Sequence, residues 1–469
     1  MRGEAFDRFA DEGKLEIIMQ FEELVRTGSS NYFDVYQYEL IIDHFLEMGQ
    51  LGHAEYILEM GIDQHPSSLE LQLKKAQLLL NKGLLKKALR LLDMMNSIES
   101  TNPDIYLLRG TALNFLGEAQ KAFESFQKAV NFTEEEKDDT LYQAGVTYQQ
   151  TGDYDTALLF YEQACGINPE NENVLYDLGY CYDKKDEFKK SVHYYNKYLD
   201  LNPFNEFVWY NLGIVYNKMG EFDEAINSYD FALSIDERYS AAVYNKANAY
   251  ANSERYEEAI ETYKEYLGLD PENQEALCYI GECYAFLNKK VLALEFFQRA
   301  LRQNPDIAEA HFFMGHIYLQ QENMEAGDHH LRKSLELDDT NCEYWYIFGK
   351  LNFDSNNFTE ALRAFLRATE LNDEMPEYWL SLSETYAKIG RIEKAINALR
   401  KGIKVNTKNA EIRYKLTAYL LENDEETSAA EVFESALSLD FERHKELLSE
   451  YPKASQNESI NKLINKYNQ

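Results

Sequence analysis

Apolar and small residues recur along the chain with a helical rhythm that is broken at fixed intervals. In the stretch from 206 to 239, EFVWYNLGIVYNKMGEFDEAINSYDFALSIDERY, Trp209, Leu212, Gly213 and Tyr216 stand at i, i+3, i+4 and i+7, one face of a helix. Ala225, Tyr229 and Ala232 form the matching face of a second helix, and Gly220 lies between them, where the first must stop. The stretch therefore predicts a helical hairpin. With Glu206 taken as position 1, the pattern returns after 34 residues.

Carrying that frame along the chain gives repeats starting at 35, 69, 103, 138, 172, 206, 240, 274, 308, 342, 376 and 410, with one extra residue near Lys137, so that twelve repeats span 409 residues from 35 to 443. Position 20 is Ala in ten of the twelve, with Ser191 and Gly327 in the others, a uniform smallness that lets two helices approach closely. Position 24 is large and apolar throughout, from Leu58 through Tyr161, Tyr195, Tyr229 and Tyr263 to Phe433. Position 8 is Gly in seven repeats, at a cost of ~1 kcal/mol of helix propensity that only close packing offsets. Of the eight prolines, Pro66, Pro169, Pro203, Pro271 and Pro305 fall at position 32 and Pro103 and Pro376 at position 1, so seven mark repeat boundaries, where proline is tolerated.

These columns, Trp at 4, Leu at 7, Gly at 8, Tyr at 11, Ala at 20, an aromatic residue at 24, Ala at 27 and Pro at 32, resemble the tetratricopeptide repeat, and the likeness covers 409 of 469 residues. The resemblance implies an all-α solenoid, a right-handed superhelix of antiparallel helical hairpins with the first helices lining a concave groove. It also implies a scaffold that holds peptides or elongated partners and is not itself a catalyst. Residues 1–34 and 444–469 lie outside the frame. Their segments IIMQFEELV and SINKLINKY read as amphipathic helices expected to cap the array, the second followed by a short tail. Four departures stand out: Asn352 at position 11, Gly327 at position 20, and Tyr198 and Tyr266 at position 27. They read either as drift or as looser packing over 308–375.

Composition narrows the class of partner. The formal charge of −34 repels phosphate backbones and anionic membrane surfaces and favours basic partners. No nucleic acid is expected, and without a long apolar run no membrane insertion. Five cysteines, an odd number without a CxxC pair, point to a reducing compartment, and an acidic N-terminus without the apolar run of a signal peptide to a cytoplasmic location. Self-association is left open.

Chemistry is sparse. There is no HExxH, GxSxG or phosphate-binding glycine loop; His329 and His330 are adjacent and so point to different faces of a helix; Cys278 and Cys283 fall at positions 5 and 10 and read as packing residues. No cofactor, metal or catalytic residue is expected.

The resemblance places positions 2, 5, 6, 9, 12 and 13 on the groove. Position 5 reads Tyr142, Tyr176, Tyr210 and Tyr244 in four successive repeats, and position 6 beside it Gln143, Asp177, Asn211 and Asn245. Rings covering apolar groups next to side chains that pair with a peptide backbone make these the candidate peptide groove. Position 2 reads Glu275, Glu309, Glu343, Glu377 and Glu411, a candidate stripe for a basic segment, though acids in a first turn also suit the helix dipole. The family's clamp for a terminal carboxylate, built on Lys at position 5 and bases at positions 2 and 6 of a following repeat, is not matched: position 5 has no base and neither has position 2. The expected function is a non-catalytic protein–protein interaction scaffold holding an extended peptide or partner segment. The alternative is a ligand-responsive regulatory receptor whose superhelix pitch controls partner binding.

Overall fold

The computed structural model describes residues 17–19, 21 and 32–468, which form α-helices and turns and no strand. The capping helix expected within 1–34 lies outside them except for Ile17, Ile18, Met19 and Phe21. Of these, Ile18 and Phe21 are buried, the Phe21 ring 5.8 Å from Phe33. Two compact units divide the chain, Met1–Glu237 and Arg238–Gln469. Each is a row of antiparallel hairpins: the N-terminal unit runs from Val35–Glu47 with Leu51–Gln64 to Glu206–Met219 with Phe222–Ile235. The C-terminal unit begins with Ser240–Asn252 and Tyr256–Leu269 and reaches Ala410–Glu422 and Glu426–Leu439. Three short helices follow, His444–Glu450, Pro452–Gln456 and Glu458–Tyr467, and their Leu447, Ala454 and Ile460 are buried in the same cluster as the last hairpin.

One contact recurs within the hairpins. The residue at position 24 is at most 2% exposed in every repeat, and wherever position 8 is glycine the position-24 side chain lies across it. A Cβ added at Gly145 or Gly213 would stand 2.5 Å from the ring of Tyr161 or Tyr229, and at Gly110, Gly179 or Gly349 it would stand 2.6 Å from Phe126, Tyr195 or Phe365. Buried rings cannot give way at such distances. Opposite the smaller Leu58, Leu92 and Leu399, position 8 carries Ile42, Ala76 and Ser383, while Leu331 is set against Gly315. Positions 4 and 27 are matched in a similar way: Gly402 faces Trp379 and Gly61 faces Tyr38, while the repeats with Tyr198 and Tyr266 carry Leu175 and Val243 at position 4.

The turn between helices is built alike twelve times over. Every position 15 has positive φ: six are glycines, from Gly49 at 67° to Gly390 at 75°, and six are not, namely Asp186, Glu254, Asn288, Glu322, Asn356 and Asp424. The N–H at position 16 then donates to the carbonyl at position 11, at 2.7 to 3.0 Å, which satisfies a helix-end carbonyl. Most first helices start on a side-chain cap, Asn in six repeats; Asn205 accepts from Val208 N at 3.0 Å and Asn409 from Ile412 N at 2.9 Å, each such cap contributing ~1 kcal/mol.

The departures from the repeat pattern do not loosen the packing. Leu319 fills the space beside Gly327, so that a Cβ there would collide with it. Asn352 is buried but paired, donating to Phe348 O at 2.9 Å and accepting from Asn357 Nδ2 at 3.0 Å. Tyr198 and Tyr266 each accept from the Asn that caps the next first helix, Asn205 at 2.9 Å and Asn273 at 3.3 Å.

Gly213→Ala should destabilise the protein by ~1–2 kcal/mol although alanine favours helix, because the new methyl meets the Tyr229 ring. Tyr229→Leu should cost less in that background than alone, giving a coupling of ~1 kcal/mol in a urea-unfolding cycle; simple additivity would contradict the contact. At the turn, Glu254→Gly should raise the thermal midpoint by removing ~1 kcal/mol of left-handed strain, whereas Gly220→Ala should lower it.

Candidate functional site

First helices place position 5 at the seam between neighbouring repeats, and the tyrosines there are half-buried. Their hydroxyls point along the row. Tyr142 Oη donates to Asp177 at 3.0 Å, and Asn211 Nδ2 donates to Tyr176 Oη at 3.1 Å, so position 5 of one repeat bonds position 6 of the next. In the C-terminal unit Tyr244 Oη donates instead to Glu275, position 2 of its neighbour, at 3.3 Å. The expected ladder of rings and amides is thus joined by inter-repeat bonds, and its rings pack against the position-24 tyrosines of their own repeats, Tyr142 on Tyr161 at 5.7 Å and Tyr176, Tyr210 and Tyr244 on Tyr195, Tyr229 and Tyr263 at 6.0 Å.

Asp177 is the most deeply set member. Only 7% of it is exposed, and it also accepts from Gln149 Nε2 at 3.0 Å; Gln149 in turn accepts from Tyr161 Oη at 2.7 Å. Loss of water raises the Asp177 carboxyl above the usual range, opposed by the hydrogen bonds from Gln149 and Tyr142. Burial pushes the nearby Cys181 thiol up to about 12. Gln143 does not join this network. It is exposed, on the wall of a separate cavity with Leu107 and Leu108. Tyr210, Tyr244 and Asn245 are half-buried.

The five glutamates at position 2 are all exposed, but they do not act alike. Glu275 and Glu309 share a cavity of ≈ 330 Å³ with Glu282 and Asp306, floored by Cys278, Tyr279 and Ile307 and lined by no described cation. Burial, reinforced by Glu309, raises the Glu282 carboxyl to about 7. Cys278 Sγ donates to it at 3.7 Å. Glu411 is already paired with Arg443 Nη1 at 3.0 Å, and Glu343 and Glu377 lie outside the cavity. Sequence reasoning misses Asp306, at position 33 outside the groove positions, and passes over Glu282, whose position 9 is on the groove but carries no run of acids like that at position 2.

The cysteines at 278 and 283 are buried, and all five in the chain are free. No cluster of metal-binding type occurs among the described residues. Histidine has a structural use. Side chains at position 4 reach back to a carbonyl six residues earlier: Trp209 to Pro203 at 2.9 Å, Trp345 to Asp339 at 2.9 Å, Trp379 to Asp373 at 2.8 Å. His311 does the same with Nε2 to Pro305 O at 3.0 Å, and its Nδ1 meets Nδ1 of His330 at 2.9 Å. The carbonyl requires Nε2–H on His311, so its Nδ1 accepts and His330 donates.

Sequence models of three families match. The model described as the Cilia and flagella-associated protein 70 C-terminal domain covers 237–451, that of the Psidin N-terminal repeat region covers 70–211, and that of the tetratricopeptide repeat itself covers 207–239. The chain is a tetratricopeptide-repeat protein. No protein of curated function matches it. Among solved tetratricopeptide-like structures, Cut9 with Hcn1 of the APC/C is similar over 97% of this chain and 99% of that one, at 14% identity and a TM-score of 0.39. A tetratricopeptide repeat protein from Parabacteroides merdae matches 54% of this chain and 98% of its own, at 18% identity and a TM-score of 0.39. MamA matches 34% of this chain and 94% of its own, at 24% identity and a TM-score of 0.33. These values carry no function across. Tetratricopeptide families as a group mediate protein–protein interaction and are generally non-catalytic.

A pH effect follows from the histidine pair. Burial holds His330 down at about 4, with His311 and His329 adding repulsion, so its contribution to stability is full above the unfolded value of ~6.5 and is lost as pH falls towards 4. His330→Gln keeps a donor to His311 without the titration. Its thermal midpoint relative to wild type should rise as pH is lowered from about 7 to about 5; a constant difference would contradict the assignment.

Proposed function

We propose that this protein is a non-catalytic scaffold that binds a basic segment of a partner protein along the first helices of its C-terminal unit. The observation that carries the reading is the cavity in which Glu275, Glu282, Asp306 and Glu309 meet over a floor of Cys278, Tyr279 and Ile307, with no described cation in its lining. Four carboxylates in a partly desolvated recess favour an ammonium or guanidinium group, and the net charge of −34 would steer it there. Glu343 and Glu377 extend the acidic run for a longer segment, while Glu411 is a weaker candidate because Arg443 already neutralises it.

The tyrosine strip is the second part of the same proposal. Tyr142, Tyr176 and Tyr210 in the N-terminal unit, and Tyr244 in the C-terminal unit, offer the exposed parts of their half-buried rings to an extended peptide, and Asn245 offers its amide. The repeats from 35 to 443 form the binding array in this reading, with 1–34 and 444–469 as its caps. A cytoplasmic location is supported by five unbridged cysteines, and no helix among the described residues is long and apolar enough to cross a membrane.

A fluorescent lysine–glycine peptide titrated into the full chain tests the reading. Affinity should increase several-fold between roughly pH 6 and pH 8 as Glu282, held at about 7, ionises. Glu282→Gln should flatten that dependence, and Glu275→Gln with Glu309→Gln should weaken binding at both pH values. Unchanged binding in the double variant would remove the cavity from the site.

A further inference from the structure

A second recess lies in the N-terminal unit, among residues given no role above except Gln143. Glu39 from Val35–Glu47, Leu73, Lys74 and Gln77 from Leu69–Asn81, and Leu107 and Leu108 from Pro103–Phe115 enclose a cavity of ≈ 400 Å³. Its floor is apolar: the three leucines are only partly buried, with Leu73 and Leu108 against one core cluster and Leu107 against another. Its charge is unbalanced. Glu39, Glu70 and Asp104 line it, while its one described cation, Lys74, is held by both oxygens of Asp43, at 2.7 and 2.8 Å. Loss of water raises the Glu39 carboxyl against the pull of Lys74, with Asp43, Glu70 and Asp104 adding repulsion, so that carboxylates outnumber the single cation.

Part-exposed leucine side chains beside a surplus of carboxylates, of which Glu70 already accepts from Ser68 Oγ at 2.8 Å, suit neither a purely charged nor a purely apolar ligand. We infer that this cavity docks a partner segment in which one or two leucine-like side chains are flanked by lysines or arginines. The aliphatic groups cover Leu73, Leu107 and Leu108, the cations meet Glu39, Glu70 and Asp104, and the Gln77 and Gln143 amides pair with the extended backbone. The inference rests on the scaffold reading but concerns a different site, and it asks for an apolar anchor that the C-terminal cavity does not need.

The test uses the full chain and three labelled peptides, GKKLLRKG, GKKSSRKG and GQQLLQQG, in fluorescence anisotropy at about 50 mM salt. GKKLLRKG should bind at least fivefold more tightly than either of the others. The Glu39→Gln, Glu70→Gln, Asp104→Asn triple variant, checked for an unchanged circular dichroism spectrum, should lose about tenfold in affinity. If the triple variant does not fold, Asp104→Asn alone should still reduce affinity for GKKLLRKG and leave that for GQQLLQQG unchanged. Equal binding of GKKSSRKG would overturn the inference by removing the leucine floor from recognition. Loss of GKKLLRKG binding in the Glu275→Gln, Glu309→Gln variant instead of the triple variant would overturn it while sparing the C-terminal site. Absence of binding in all cases would overturn both.

Discussion

The fold depends on a collision avoided in repeat after repeat: the position-24 side chain of the second helix lies where a position-8 Cβ would otherwise stand. In six of the eight repeats with an aromatic ring at position 24, glycine stands opposite, whereas leucine there permits alanine, serine or isoleucine. The helix-propensity loss of ~1 kcal/mol per glycine is therefore a condition for burying a ring completely, and that burial outweighs it at ~1.5–3 kcal/mol. Ala247 opposite Tyr263 and Thr417 opposite Phe433 are the exceptions, and all four side chains are still at most 1% exposed. The tyrosine strip is seated on the same contact, since Tyr142, Tyr176, Tyr210 and Tyr244 each pack against the position-24 tyrosine of their own repeat.

Much of this was legible in the sequence because it is written in volumes. The small column at 20 is buried throughout, as its uniform smallness implies, and the all-α repeat follows from the same columns. The left-handed residue at position 15 was legible only where it is glycine. At Glu254 and Glu322 the turn overrides residue preference, since the bond from position 16 to position 11 and the packing on both sides fix the backbone.

The candidate sites were less legible, for a different reason. A column of like residues shows which side chains share a face but not which partners they find across a seam. Tyr142 and Asp177 both read as ligand-binding groups by position, yet they bond each other, and Glu411 is held by Arg443 from the end of the array. The pairing of His311 with His330 and the gathering of Glu282 and Asp306 around Glu275 depend on how helices pack across hairpins and seams, which no column records. The unmatched charge that remains after such pairing is what distinguishes the two cavities from the general acidity of the surface.

The cross-seam bonds also bear on how such a chain can change over time. A hairpin closes through its own turn and its own position 8 and 24 pair, so whole 34-residue units can be duplicated or lost without reopening a neighbour. Tyr142 and Tyr176 bond position 6 of the following repeat, however, so at those two seams a copied repeat keeps the bond only if its leading and trailing edges agree. The repeat from 206, with Tyr210 and Asn211, carries both halves of the Tyr176–Asn211 bond and can be set beside a copy of itself. The repeat from 274, with Cys278 and Tyr279 at those positions, cannot form that bond with its own copy. Tandem copying thus carries the cross-seam bond with it in the middle of the array but not near the acidic cavity, where packing holds a copied seam without that bond.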